Sequence, residues 1–346
     1  MATLNIGIIG AGGIVRRRHL PELKLIPAVR VVAVCNRTRA TAEAVAQEWG
    51  IPRVTTDWHD VLAMDDVDAV FIGTWPNMHA EVSIAALNAG KHVFCQARMA
   101  RNLAEARAML RAAREHPDRA TMLCPAPHGM RGDRVIRRLL SEGFLGEPRE
   151  VHATGFSAAN LDPKTPLHWR QNFDIQGYNT LTLGMWIEVI HRWLGTHRLV
   201  TAILKTHTPL RADPETGVCV PVRIAESVAI AAEMENGALA GYHFSGVAPN
   251  APHNRIEIYG TGGTLIYDLD TDEIFGARSD EQGRRPIPIP PGEAREWTVE
   301  ADFVRAVREG GATEPSFADG VRYMEFTEAV YLSAQRRETI ALPLPE

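Results

Sequence analysis

A glycine-rich loop near the N-terminus offers the first chemistry that residue types and spacing can assign. Gly10, Gly12, Gly13 and Ile14 follow an apolar segment and open an amphipathic one. The first glycine permits a tight turn, and the second lets backbone amides approach a dinucleotide pyrophosphate at the N-terminus of the following helix. Val15 occupies the third small position of the G-x-G-x-x-G/A pattern. The strand–turn–helix context still indicates a nucleotide-binding loop.

The residues after the second apolar segment bear on which dinucleotide is bound. NAD-binding proteins usually place an acidic residue there for the ribose hydroxyls, whereas NADP-binding proteins offer arginine or small polar groups to the 2′-phosphate. This chain has Asn36, Arg37 and Thr38, an arginine and no acid. We therefore expect Asn36 and Arg37 to contact NADP or NAD, with NADP favoured. The alternative is that Arg37 is a solvated residue of a helical turn.

The elements that must position these residues follow from the hydrophobic pattern. From residue 4 to about 124, short apolar runs alternate with amphipathic segments, which predicts parallel βαβ units. Right-handed crossovers give a doubly wound Rossmann sheet, an NAD(P)-binding domain of residues 1–124. Residues 125–346 show alternating runs punctuated by glycine and proline. They predict a C-terminal open, predominantly antiparallel β-sheet domain with helices on one face, for substrate binding and oligomerisation.

Two further predictions concern this second domain. The apolar periodicity from Leu181 to Leu194 predicts one long helix across the sheet. The segment Gly276–Arg295 is rich in proline, glycine and arginine, which predicts an exposed loop.

The composition excludes several classes of protein. The chain has 346 residues, more than one compact core usually carries, so two domains are expected. It has 37 Lys and Arg against 42 Asp and Glu, a net charge of −5 without a dense basic block. Because nucleic acids and anionic membranes attract clustered cations, neither is an expected partner. No run approaches the roughly 18 apolar residues of a membrane span.

The cysteines bear on metals and on the cellular compartment. Cys35, Cys95, Cys124 and Cys219 have no metal-ligand spacing, so we expect small buried thiols and no metal site. No signal-like segment is apparent, and a cytoplasmic location is expected.

Several more segments, in order along nearly the whole chain, resemble the Gfo/Idh/MocA family of glucose–fructose oxidoreductases and inositol dehydrogenases. Ile72 to His79 is similar to its A-T-P-x-x-x-H segment, and Cys95-Gln96-Ala97-Arg98 aligns with its C-E-K-P motif. The resemblance implies a Rossmann domain followed by an open sheet domain, and homo-oligomers that often pair through the sheets. It also implies hydride transfer with sugars, cyclitols or related polyols. By the same resemblance these residues contact the cofactor: Thr74, Trp75, His79, Gln96, Arg98 and Trp169.

The acid–base residues usual in the family are replaced in this chain. Ala97 stands where C-E-K-P has its lysine, and alignment on the family-like helix puts Thr182 at the usual aspartate and Trp186 at the usual histidine. Oxidation of an alcohol requires a base near the hydride donor, and none of these three side chains can serve as one. Lys91 is expected at the start of its strand, a full strand length from the site.

Candidate substitutes for the missing acid and base are His128, Tyr178, Thr182 and Lys164. His128 titrates near neutrality, but it is equally compatible with an exposed loop histidine. Tyr178 and Thr182 are spaced i and i+4, which predicts one helical face. The stripe formed by Tyr178, Thr182 and Trp186 is compatible both with packing in the core and with lining the substrate site. Lys164 lies in the preceding loop, where the family often meets its substrate.

The expected function is an NAD(P)-dependent oxidoreductase acting on a sugar, cyclitol or related carbonyl or imine substrate, with a non-standard proton donor. Reduction of a carbonyl depends less on the missing base than oxidation of an alcohol does, because solvent or a tyrosine can protonate the product. Two alternatives stay open. One is redox-assisted glycoside cleavage with a bound cofactor. The other is a regulatory protein that binds the cofactor without turnover, which the three replaced positions favour.

Overall fold

The computed structural model describes residues 2–125 and 130–345. Contacts between residues divide the chain into two compact units. Unit 1 consists of Met1–Pro125 and Thr298–Val321, and unit 2 of Ala126–Trp297 and Arg322–Glu346. The division predicted after residue 124 does not anticipate the return of the segment from Thr298 to unit 1.

The helices and strands of the described residues are numbered here along the chain. The α-helices are α1 (Leu20–Leu25), α2 (Arg39–Trp49), α3 (Trp58–Leu62), α4 (Pro76–Asn88), α5 (Leu103–Glu115), α6 (Asp133–Ser141), α7 (Phe173–Gln176), α8 (Leu183–Leu194), α9 (Val299–Glu309) and α10 (Phe317–Arg336). The strands are β1 (Leu4–Ile9), β2 (Val29–Cys35), β3 (Arg53–Thr55), β4 (Ala69–Ile72), β5 (His92–Cys95), β6 (Thr121–Leu123), β7 (Pro148–Phe156), β8 (His197–Lys205), β9 (Leu210–Ala212), β10 (Cys219–Pro221), β11 (Ser227–Met234), β12 (Leu239–Ser245), β13 (Arg255–Gly260), β14 (Gly263–Asp268), β15 (Glu273–Arg278), β16 (Arg285–Ile287) and β17 (Ile340–Ala341). None of the helices in the described ranges is both long enough and apolar enough to cross a membrane.

Unit 1 is built on a parallel six-stranded sheet in the order β3-β2-β1-β4-β5-β6. Strands β1, β4 and β5 are buried along nearly their whole length, as strands covered on both faces must be. The strand order reverses between β1 and β4, and ligands of doubly wound sheets bind beyond the carboxyl ends of the strands at this point. The predicted Rossmann sheet is confirmed.

Helix boundaries in unit 1 follow local capping. The Thr38 hydroxyl accepts a hydrogen bond from Thr41 N at the start of α2, which ends at Gly50 in the left-handed conformation. Asn102 Oδ1 accepts from Glu105 N in the same way at the start of α5. Both helices belong to the amphipathic segments that the sequence predicted between the strands, whereas β3 and α3 are too short to give a periodic signal.

Unit 2 contains a mixed nine-stranded sheet in the order β16-β15-β14-β13-β7-β12-β11-β8-β17. Its pairs are antiparallel except for β7 with β12, which confirms the predominantly antiparallel prediction. Buried and exposed residues alternate along β11. On the buried face Phe244 contacts Trp186 of α8, and His197 contacts Phe326 of α10, so helices cover this face.

The long helix predicted from about Leu181 to Leu194 is confirmed; it begins at Leu183, because Leu181 itself has a φ of +45°. Two other predictions in unit 2 are wrong. The predicted loop Gly276–Arg295 contains the end of β15 and all of β16, a short edge strand that tolerates Pro286. Cys219 is exposed on β10, whereas the other three cysteines are buried as expected. The β9–β10 hairpin carries no clear sequence signal.

Candidate active site

The glycine loop of unit 1 turns between β1 and a short π-helix, Val15–His19, which continues into α1. Gly10 has a φ of +88°, and a Cβ at this position would lie 2.6 Å from Thr74 N. Its own amide donates to Cys35 O at 2.8 Å. Only glycine fits this position, which ties the loop to the carboxyl ends of β2 and β4.

The rest of the loop leaves room for a ligand. A Cβ built on Gly12 meets none of the described residues within 4 Å. Gly13 lies beneath Arg17, whose Nη1 is 3.3 Å from the position of a Cβ. Ile14 is half-buried at the start of the π-helix. The open surface at Gly12 is the place where a pyrophosphate approaches the amides of such a loop. Arg17 was not among the predicted residues, although three consecutive arginines after the loop were a visible signal.

The residues after β2 take two different roles. Ala11 N donates to Asn36 Oδ1 at 2.7 Å, so the Asn36 side chain braces the glycine loop. The Arg37 guanidinium lies over the Trp75 ring, 5.8 Å from its centroid. Trp75 is 39% exposed, and an exposed aromatic face is suited to stacking on a planar ligand.

Two buried oxygens after β4 point to a missing partner. Among the residues that the structure describes, Thr74 Oγ1 and Asn77 Oδ1 have no hydrogen-bond partner. Buried polar atoms are rarely left unpaired, because desolvation without a new hydrogen bond costs about 1–3 kcal/mol. Both residues follow the carboxyl end of β4, where a dinucleotide binds in this fold. The residues present therefore fit a nicotinamide dinucleotide, and Asn77 is an addition to the predicted set.

His79 and Arg98 form a brace between the segments that follow β4 and β5. The buried His79 ring lies between two carbonyl oxygens, with Nδ1 2.9 Å from Arg98 O and Nε2 3.0 Å from Thr74 O. Burial lowers the pKa of His79, although these carbonyls oppose the shift. His79 thus holds the backbone at residues 74 and 98, and the Arg98 side chain is itself buried.

Gln96 belongs to a buried polar network. Its amide contacts His19 Nε2, and the other nitrogen of that ring contacts a carboxylate oxygen of Glu300 on α9. The Gln96 side chain also hydrogen-bonds the Cys124 thiol. These contacts fix the carboxamide beside Ala97. Glu300 reaches the network from the returning segment of unit 1, which local sequence could not reveal.

Lys91 lies where the sequence predicted, just before β5. Its ammonium group donates to Met64 O at 2.9 Å. The residue is therefore at the amino end of the strand, and Gln96 follows the carboxyl end. Lys91 does not replace the lysine that Ala97 removes.

In unit 2 the predicted helical stripe of Tyr178 and Thr182 does not exist. Helix α7 ends at Gln176 and is followed by Gly177 with a φ of +60°, and α8 begins only at Leu183. Tyr178 and Thr182 both lie in the connecting turn. The i, i+4 rule fails here because it holds only within a continuous helix.

Tyr178 occupies a half-buried aromatic site. Its ring centroid lies 5.2 Å from that of Tyr331 and 5.5 Å from that of Phe173. Burial raises the pKa of the Tyr178 phenol, and the Glu328 carboxylate raises it further. The phenol is therefore protonated at neutral pH and can donate its proton to a strong base such as an alkoxide.

Thr182 and Trp186, which the sequence comparison aligned with the usual aspartate and histidine, both lie in unit 2. Trp186 is 4% exposed and packs edge-on against Phe244 at 5.5 Å. Thr182 Oγ1 lies 3.0 Å from where a Cβ on Gly155 would be, close to β7. Trp186 therefore packs in the core of unit 2.

The loop after β7 carries the remaining candidates. The Lys164 side chain is exposed, and its amide donates to Asp162 Oδ1 at 2.9 Å. The half-buried Trp169 ring stacks against the guanidinium of Arg170 at 4.3 Å. His168 Nδ1 accepts from Arg170 N, which caps a short 3₁₀-helix. His128 lies outside the described residues, so its role stays a prediction.

Comparison with known proteins agrees with this geometry. Residues 4–123 match the model of an oxidoreductase family with an NAD-binding Rossmann fold, and residues 134–266 match that of the GFO/IDH/MocA C-terminal domain. Levoglucosan dehydrogenase of Pseudarthrobacter phenanthrenivorans is 28% identical over 99% of both chains. The 1,5-anhydro-D-fructose reductase of Ensifer adhaerens is 28% identical over 91% of both chains.

A solved structure supports the same assignment. Levoglucosan dehydrogenase in complex with NADH and L-sorbose superposes with a TM-score of 0.87, at 26% identity and 99% coverage of each chain. The two family models together span most of this sequence, one on each side of the division between the units. The chain belongs to the Gfo/Idh/MocA family of NAD-binding oxidoreductases.

Proposed function

We propose that this protein is an NAD(P)-dependent oxidoreductase that transfers a hydride to or from a sugar-like substrate. The observation that carries the proposal is the open Gly12 surface beside the unpartnered oxygens of Thr74 and Asn77. These features lie at the switch point of a doubly wound sheet, where dinucleotides bind. A bound nicotinamide supplies or accepts the hydride.

The loop residues would hold the cofactor mainly through the backbone. Amides at Gly13 and Ile14, just before the π-helix, would donate to the pyrophosphate, and the Arg17 guanidinium would add a positive charge. Thr74 and Asn77 would contribute their unpartnered oxygens. The Asn36 and His79 side chains keep this backbone in place rather than reaching the ligand, since both are engaged within unit 1.

NADP is the preferred cofactor in this proposal. No acidic residue follows β2 within residues 36–38, so nothing there repels a 2′-phosphate. The Arg37 side chain stacks on Trp75 and offers a guanidinium suited to bidentate phosphate binding. The related levoglucosan dehydrogenase was solved with NADH, so binding of NADH and of NADPH to this chain must be compared directly.

The proton donor in this proposal is Tyr178. Ala97, Thr182 and Trp186 cannot exchange a proton near neutrality, whereas the phenol of Tyr178 is held protonated. A protonated phenol favours reduction of a carbonyl, because it donates a proton to the alkoxide that hydride addition creates. Lys164 and His128 stay the alternative donors.

The proposed substrates are sugars or close relatives. The relatives named above act on levoglucosan and 1,5-anhydro-D-fructose, and both cover more than nine-tenths of this chain. A carbonyl sugar is the substrate that a protonated tyrosine serves best.

A second candidate function is cofactor binding without turnover. It is favoured by Trp186, which fills the usual histidine position with a buried aromatic ring. Oxidation or reduction of bound cofactor by any sugar would eliminate this candidate.

We also propose that the protein forms homo-oligomers through the open face of the nine-stranded sheet. Ile203 is 73% exposed and Leu239 56% exposed, and the small residues Ala229 and Ala231 are exposed on the same sheet. An exposed apolar sheet surface is typical of an association site.

Titration with NADH and NADPH, followed by nicotinamide fluorescence, tests the proposed function. We expect tighter binding of NADPH, and Arg37→Ala should weaken it about 10–100-fold by removing a charged hydrogen bond. Arg39→Ala is the matched control, because Arg39 is an exposed arginine paired with Glu43 nearby. If neither dinucleotide binds, the oxidoreductase proposal fails. If both bind and no sugar in a panel changes the redox state of the nicotinamide, the non-catalytic candidate replaces it.

A further inference from the structure

We propose that Arg211, paired with Glu226, is a positioning residue that holds residues 158–166 as a preformed substrate arm and fixes the place of Lys164. This inference rests on the proposed function, because Lys164 is a candidate for substrate contact. Residues 158–166, called the arm below, connect β7 to the 3₁₀-helix Trp169–Gln171.

The Arg211 guanidinium binds the arm through three backbone carbonyls. Nη1 donates to Asp162 O at 2.8 Å and to Thr165 O at 3.0 Å, and Nη2 donates to Asn160 O at 2.6 Å. Arg211 is 2% exposed, so these hydrogen bonds are shielded from water. Lys164 lies between two of the three bonded positions. Its backbone is therefore fixed on both sides by the same nitrogen atom.

Glu226 balances the buried charge and uses its remaining oxygen on a second loop. Glu226 Oε1 accepts from Arg211 Nη2 at 3.1 Å, and Oε2 accepts from the amides of His207 and Thr208 at 2.7 and 2.8 Å. Removing two charges from water is costly, and a hydrophobic pair of similar volume is often at least as stable. We attribute the pair to geometry rather than to stability, since a planar guanidinium can join three carbonyls at once.

Apart from Arg211, backbone hydrogen bonds hold the two ends of the arm: Asn160 N donates to Gly246 O, and Leu167 N, just after the arm, donates to Ala212 O, both at 2.8 Å. Every residue from Leu161 to Pro166 is exposed, and Leu161 is 48% exposed. Within the arm, the Asp162 carboxylate accepts from Lys164 N and from the Thr165 hydroxyl, and two backbone bonds join Leu161 N to Ala158 O and Thr165 N to Asp162 O. An exposed segment with few apolar contacts samples open states unless it is anchored. Arg211 supplies that anchor from β9.

The consequence for function concerns the Lys164 ammonium group. A flexible lysine loses side-chain entropy when it is immobilised, and an unfixed backbone would add to this cost. With the backbone fixed, three N–H donors are presented to the oxygens of a polyhydroxylated substrate.

Cleavage by a lysine-specific protease gives a direct readout of arm order. The chain has lysines only at positions 24, 91, 164 and 205, so cleavage after Lys164 produces fragments that mass spectrometry identifies at once. We expect Arg211→Met to accelerate cleavage after Lys164 at least tenfold, and Arg211→Lys to do so less, because an ammonium cannot reach all three carbonyls. Arg149→Met is the control, since Arg149 is an exposed arginine of the same unit paired with Glu147. If Arg211→Met fails to fold, Arg211→Lys decides the outcome. Cleavage that is unchanged in the folded variant overturns the anchor.

Kinetics of L-sorbose reduction with NADPH and of levoglucosan oxidation with NADP+ as hydride acceptor test the second half of the proposal. In Arg211→Lys and in Lys164→Ala we expect KM for the sugar to rise at least fivefold, with the dissociation constant of NADPH unchanged. A normal KM with accelerated cleavage would show that the arm is ordered but does not bind substrate, and the substrate role would be rejected. If neither sugar reacts with the unmodified protein, the substrate role fails together with the proposed function, and the cleavage result still decides whether Arg211 orders the arm.

Discussion

The side chain of Val15 fills the space beside Gly73, where an added Cβ would collide with Val15 Cγ2 and lie 2.5 Å from Gly10 O. Val15 is fully buried. In most dinucleotide-binding loops the third glycine allows the helix to approach the strand closely. Here the approach is made possible from the strand side, by the glycine that follows β4. The departure from the usual motif at Val15 is thus compensated within unit 1.

Replacement of Gly73 should therefore disturb the cofactor loop. We expect Gly73→Ala to lower the free energy of unfolding by about 1–3 kcal/mol through overpacking. Because the methyl group also presses on Gly10, NADPH binding should weaken at least about tenfold. Chemical denaturation and fluorescence titration measure the two effects. Gly292→Ala serves as the control, since a Cβ there meets none of the described residues within 4 Å. Normal NADPH affinity in Gly73→Ala would contradict this account of the loop.

Replacement of Gly12 should separate binding from stability. A Cβ at this position has open space around it, so the free energy of unfolding of Gly12→Ala should stay within about 0.5 kcal/mol of the unmodified protein. The same methyl group would occupy the surface that the pyrophosphate approaches, and dinucleotide affinity should fall at least about tenfold. Unchanged affinity would place the dinucleotide elsewhere.

Tyr178→Phe should slow the chemical step without affecting cofactor binding. We expect kcat for carbonyl reduction to fall roughly 10²-fold, because general acid catalysis is lost. The pKa of the phenol lies above its ordinary value, so the rate of reduction should stay level through neutral pH and decline only above about pH 10. Steady-state kinetics across pH measure both effects, with Tyr259→Phe as the control. An unaffected kcat would exclude Tyr178 as the proton donor and leave His128 and Lys164 as the candidates.

Unit 2 should lose stability in acid because of a buried histidine. His197 lies 2.9 Å from His191 Nε2 through its Nδ1 and 2.7 Å from the Tyr242 hydroxyl through its Nε2. Burial holds the pKa of His197 well below its ordinary value, and His191 lowers it further. The unfolded chain therefore takes up this proton first. The contribution of His197 to stability is complete above about pH 6.5 and is lost as the pH falls below it, by at most about 1.4 kcal/mol per pH unit.

Denaturant titrations between pH 4 and 8 measure this loss. His197→Asn should be less stable at neutral pH, but its stability should decline less steeply between pH 6.5 and 4. The slopes are compared rather than the absolute values, because the substitution also removes packing against Phe326. Equal slopes for the two proteins would assign the acid sensitivity to other groups.

The sequence by itself determined what depends on local pattern. Continuous apolar runs identified the buried parallel strands, and the glycine spacing after β1 located the cofactor loop. The order of the motifs identified the family. These features could be read because their physical cause lies within about one turn or one strand of chain.

The tertiary structure alone decided what depends on residues distant in sequence. The i, i+4 spacing placed Tyr178 and Thr182 on one helical face, but both lie in a turn, and Leu181 between them has a positive φ that no α-helix contains. Three contacts join parts of the chain that share no sequence pattern. They are the packing of Val15 against Gly73, the contact of Glu300 with His19, and the hydrogen bonds of Arg211 to the arm. Burial and hydrogen bonding across such separations follow from packing in three dimensions, which neighbouring residues do not encode.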